Sequence, residues 1–88
     1  MYKIGQPISR IDFYRLAPLG LEAEYGNRVK IYSTKTKEMC IQIGDNVKDF
    51  NFYRNTIETD LNEGNFLISK LPNMPLLNRR LSNKRTIH

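Results

Sequence analysis

With 88 residues the chain has room for one domain, and at this size only about 60–65% of the unfolded surface becomes buried, so any core is small. Hydrophobic residues at 40% and charged residues at 26% are the balance of a globular rather than a disordered chain, and its longest apolar runs fall far short of the roughly 20 residues of a membrane span. The net charge is +5, and a single cysteine excludes an internal disulfide and any multi-cysteine zinc site.

The first seven residues, Met-Tyr-Lys-Ile-Gly-Gln-Pro, lack the apolar stretch of a secretory signal. Together with the lone Cys40 this predicts a reducing, cytoplasmic compartment. Ile8 to Leu16, bracketed by Pro7 and Pro18, fits a short helix through Ile8, Ile11 and Arg15 or a strand through Ile11, Phe13 and Arg15; the strand is the expectation. From Gly20 the pattern is clearer. Leu21, Ala23 and Tyr25 alternate with Glu22 and Glu24, then Val29, Ile31 and Ser33 with Lys30, Tyr32 and Thr34, then Met39, Ile41 and Ile43 with Cys40 and Gln42. Period-two alternation of this kind marks half-buried strands, and three in series predict an antiparallel meander.

Side-chain parity fixes the register, because a slip of one residue moves every side chain to the other face. A two-residue loop at Gly26-Asn27 would set Glu24 against Val29 and Glu22 against Ile31. A three-residue loop, Gly26-Asn27-Arg28, instead pairs Tyr25 with Val29, Ala23 with Ile31 and Glu24 with Lys30. A five-residue loop from Thr34 to Glu38 likewise pairs Ser33 with Met39, Ile31 with Ile41 and Val29 with Ile43, leaving one sheet face apolar.

Asn46, with Asp49 three residues on, reads as an N-cap, so a helix is expected from about Val47. At 100° per residue Val47, Phe50, Tyr53, Ile57 and Leu61 form one stripe, and Gly64 supplies the stop. Asn65 to Lys70 reads as a further strand. Pro72 and Pro75 then interrupt regular structure before a stretch carrying Leu76, Leu77 and Leu81, which is expected to pack back on the core, and a frayed end. The fold class is therefore α+β: a small antiparallel sheet, comprising a three-strand meander over about 20–43 and one or two further strands, with one main helix over about 47–63 across one face. Residues 1–69 are expected to form the core domain and 70–88 a basic C-terminal arm.

The arm holds the whole charge excess. Up to Ser69 nine basic residues balance nine acids, whereas from Lys70 onward there are Lys70, Arg79, Arg80, Lys84 and Arg85 and no acid. Cations on a neutral core neutralise phosphates and release counterions without reading sequence. The expected partner is thus nucleic acid or a nucleoprotein complex, contacted by these five residues with Lys30 and Arg54 extending the surface. An acidic protein partner is the alternative, in which case the chain is an inhibitor or adaptor of phage or mobile-element type. Phe52, placed by helical periodicity away from the sheet, and Tyr32, on the outer sheet face, are the aromatic anchors for either. Catalysis is the last choice. The only histidine is His88, the final residue of the sequence; the glycines never cluster as a phosphate loop does; and no nucleophile with its base, carboxylate pair, metal cluster or cofactor motif is visible. A small metal-independent ribonuclease using Arg, Lys, Tyr and His88 is the one enzymatic option.

Overall fold

The structure is a computed structural model that describes residues 2–73. Its elements are helix α1 (Arg10–Leu16) with a 3-10 turn (Ala17–Leu19), strands β1 (Glu22–Tyr25), β2 (Val29–Ser33), β3 (Met39–Ile43) and β4 (Asn46–Asp49), helix α2 (Phe50–Asn62) and strand β5 (Leu67–Lys70). The strands form one antiparallel sheet in the order β4-β3-β2-β1-β5. An α+β domain with one main helix across the sheet is what the residue pattern predicts, and the meander registers match it. Ala23 pairs with Ile31, Glu24 with Lys30 and Tyr25 with Val29; Ser33 pairs with Met39, Ile31 with Ile41 and Val29 with Ile43.

Two local expectations are corrected. Within Ile8 to Leu16, Arg10–Leu16 is helical rather than extended, because Ser9 caps the segment by accepting the Asp12 N–H at 3.2 Å, and Asp12 and Arg15 complement the two ends of the helix dipole. Its buried stripe is Phe13, Leu16 and Ala17, whereas Ile11 is 71% exposed. The second correction concerns the start of α2. Asn46 to Asp49 is a strand, joined to β3 by the two-residue turn Gly44-Asp45, with Ile43 opposite Asn46 and Ile41 opposite Lys48. Gly44, at φ +61, supplies the left-handed residue that opens such a turn. The helix cap is Asp49, whose Oδ1 accepts the Asn51 N–H at 3.0 Å. Val47 therefore lies on an edge strand, 59% exposed, while Phe50, Ile57 and Leu61 are buried as the stripe predicts.

The core is formed by Phe13 and Leu16 of α1, Phe50, Ile57 and Leu61 of α2, and Leu21, Ala23, Ile31, Ile41, Phe66 and Ile68 from the sheet and its flanks. Both helices thus pack on the apolar sheet face. The other face carries Glu22, Glu24, Lys30, Tyr32, Cys40 and Gln42 and contributes nothing to that core. The two sheet edges differ. Along β5 the N-terminal segment supplies Gly5 N–H to Ile68 O (2.7 Å), Ile8 N–H to Phe66 O (3.2 Å) and Gln6 O to Ile68 N–H (2.8 Å). At β4 the strand is short, exposed throughout, and sets Lys48 on the face of Ile41, a charge that discourages another strand from pairing there. No helix among the described residues is long and apolar enough to cross a membrane.

Candidate functional site

Lys70 owes its position to a bulge. Ala23 pairs with Ile68 but Glu22 pairs with Lys70, so Ser69 is an extra residue in β5. Without it Lys70 would share the buried face of Ile68; with it Lys70 stands beside Glu22 on the open face. Ser69 is left with its Oγ buried and unpartnered among the described residues.

Beside Lys70 the 3-10 turn and the β2–β3 loop frame a cleft of about 460 Å³. Lys35 and Lys70 both line it, together with Glu22, Thr34 and Gly20. Among the described residues neither lysine forms an ion pair, and the acid in the cleft, Glu22, is engaged by Lys30 at 3.6 Å. The chain leaves β5 through this cleft. Pro72 is buried and the Asn73 N–H donates to Leu19 O at 2.7 Å, which fixes the root of the arm against the 3-10 turn. Gly20, at φ +102, lets the chain reverse there, and a Cβ at that position would meet the Asn73 nitrogen at 3.8 Å.

The other predicted residues fall in separate places. Arg79, Arg80, Lys84 and Arg85, together with Leu76, Leu77, Leu81 and His88, lie outside the described residues. Lys30 and Tyr32 are on the open sheet face, with Lys30 Nζ 5.4 Å from the Tyr32 ring centre. Continuing the β1–β2 register sets Tyr32 across from Glu22, so these two residues adjoin the cleft. Burial, then the neighbouring Cys40 and the Glu22 carboxylate, push the Tyr32 hydroxyl above its ordinary 10.0.

Arg54 and Phe52 are on α2, away from Lys70. Arg54 is committed to structure: its Nη1 lies 3.7 Å from Glu58 Oε2 and donates to the Tyr14 hydroxyl at 3.3 Å, its Nη2 donates to Asn51 Oδ1 at 2.7 Å, and its guanidinium lies over the Phe50 ring at 5.5 Å. Phe52 is 80% exposed, as its helical phase predicts. Cys40 is half-buried on the open face, its thiol directed at Glu38 O (3.8 Å). Among the described residues no three His, Cys, Asp or Glu side chains converge as metal ligands would.

Sequence reasoning singled out Lys70 but not Lys35. Nothing local distinguishes Lys35 from Lys37 or Lys48; only the approach of the β2–β3 loop to the 3-10 turn brings it into the cleft. Comparison of the chain with protein-family models, curated proteins and solved structures yields no match.

Proposed function

We propose that the protein is a non-catalytic binding module that contacts nucleic acid, alone or within a nucleoprotein assembly, through the basic arm and the cleft at its root. One observation supports this most directly: the arm, which carries no acid beyond Ser69, leaves the domain through a cleft lined by two lysines that have no ion-pair partner among the described residues. Lys35 and Lys70 add to the positive charge of Arg79, Arg80, Lys84 and Arg85. Tyr32, with Lys30 beside it, offers an aromatic face next to that surface on which a base can stack. Arg54, which the charge pattern alone would include, is assigned to holding α1 and α2 together. The reading places the protein in the cytoplasm, where the half-buried Cys40 stays reduced.

Affinity for mixed-sequence DNA and RNA, measured by fluorescence anisotropy at low and moderate salt, tests the proposal. Each phosphate neutralised contributes about 0.7 to 0.9 to the slope of log K against log salt, so changing Arg79, Arg80, Lys84 and Arg85 together to Gln should reduce that slope by about 3. Changing Lys35 and Lys70 to Gln should reduce it by a further 1 to 2, roughly. If the intact chain shows no salt-sensitive binding even at low salt, the reading fails.

A further inference from the structure

Helix α2 turns an uncharged face to solvent. Phe52, Asn55, Thr56, Thr59 and Asn62 lie opposite the buried Phe50, Ile57 and Leu61, whereas the charged residues of the helix point elsewhere. Arg54 and Glu58 face α1, and Asp60 lies at a groove on the other flank. In a chain with 26% charged residues, a solvent-facing stripe of α2 that combines no charge with an 80% exposed phenyl ring has the composition of an interface centre, where charge is depleted and aromatics are enriched.

The ring has a complementary hollow next to it. Phe52 meets Tyr53 edge-on with ring centres 5.0 Å apart, and Tyr53 forms one wall of an apolar groove of about 230 Å³ between α2 and the sheet. Val29, Ile41 and Ile43 line the sheet side, and Thr56 and Asp60 the helix side. Knob and hollow therefore adjoin on one surface of the same molecule.

We propose that this surface joins two copies of the chain about a two-fold axis near Tyr53, with Phe52 of each copy seated in the groove of the other. An isologous contact requires that each surface carry both the projecting and the receiving part. The outward stripe of α2 carries no charge, so two copies meet through it without like-charge repulsion. Its bordering charges are opposite in sign, Asp60 on the helix side and Lys48 beside Ile41 on the β4 side, so that each copy offers a partner for the other's charge. The described root of the arm lies away from this surface. The groove opens at the Tyr25, Val29 and Ile43 ends of the strands, while the arm leaves beside Glu22 and Ser33, at the opposite ends. Nucleic acid is a poor occupant of this surface, since its outward stripe has no cation to meet a phosphate. The inference does not depend on what the arm binds.

Sedimentation equilibrium of the full chain from about 1 µM to 1 mM tests it. A monomer–dimer equilibrium is expected within that range. Phe52→Ala and, separately, Thr56→Arg should each weaken it by at least about tenfold. Both residues are exposed, so the melting temperature of each monomer should match that of the parent chain. A chain that stays monomeric throughout overturns the proposal, as does a dimer that survives both substitutions, which would place the contact elsewhere, for instance at the β4 edge. Association with a different protein, in a parent chain that remains monomeric, would also overturn it.

Discussion

The residue that ties the two helices together is Tyr14. Its hydroxyl donates to Glu58 Oε2 at 2.5 Å, while Arg10 approaches the other carboxylate oxygen at 3.6 Å and Arg54 approaches both Glu58 and Tyr14. Burial, reinforced by the hydrogen bond to Glu58 and its negative charge, pushes the Tyr14 hydroxyl up to about 12, and that same hydrogen bond, with the two arginines, holds the Glu58 carboxyl below its ordinary 4.5. The pH dependence follows from the two signs. Tyr14 has the higher value when folded, so its contribution is complete below pH 10.0 and is lost as pH rises toward 12; Glu58 has the lower value when folded, so its contribution is complete above pH 4.5 and is lost as pH falls through the depressed value. Stability should therefore form a plateau between these limits. Tyr14→Phe should flatten the alkaline arm of a chemical-denaturation profile and lower the plateau by about 1 kcal/mol, the net worth of a typical intramolecular hydrogen bond, since solvent screens the extra strength of the charged acceptor. An unchanged alkaline arm in Tyr14→Phe would assign that loss to another group. None of this is legible locally, since Tyr14 and Glu58 are 44 residues apart and their pairing arises only when α1 packs on α2.

At the level of elements, legibility followed whichever signal decided the local structure. The meander was readable because parity is strict: only odd loops keep Glu22 and Glu24 away from Val29 and Ile31, and the observed loops after Tyr25 and Ser33 obey this. The helix stripe was readable for the same reason at a different period. Boundaries were less so. Asn46 and Asp49 are both competent caps, and the choice between them depends on whether Gly44-Asp45 closes a hairpin, a matter of pairing with β3 rather than of capping chemistry. In α1 the deciding signal is the cap, Ser9 with Asp12 three residues later, which the short apolar alternation through Ile11 and Phe13 does not reveal. These boundaries give a direct experiment. Asp49→Ala should destabilise the protein by about 1 kcal/mol through loss of the cap, whereas Asn46→Ala, at an exposed edge position with no side-chain hydrogen bond among the described residues, should fall within about 0.5 kcal/mol of the parent in urea denaturation. The reverse order would restore Asn46 as the cap.

Considered over residues 2–73, the molecule separates its features along the strands, with the root of the arm and its lysine-lined cleft at one end and the uncharged Phe52 face with its groove toward the other. Four or five cations on one chain are a modest footprint for a polyanion. Two copies joined through α2 would present two arms on one particle, and the second arm would then bind at the effective concentration set by the first. The two proposals thereby acquire a joint consequence that neither has alone. On a nucleic acid long enough to span both arms, and at protein concentrations where the parent chain is dimeric, its salt slope should be about twice that of Phe52→Ala, which keeps every cation but holds one arm per particle. On a short oligonucleotide that admits only one arm, the two slopes should coincide. Neutralising Arg79, Arg80, Lys84 and Arg85 should lower both slopes and leave the sedimentation behaviour unchanged, because the proposed contact is built from Phe52, Tyr53 and the groove beside them. Equal slopes on long and short nucleic acid for a chain that sediments as a dimer would mean that the arms act independently, with no gain from pairing.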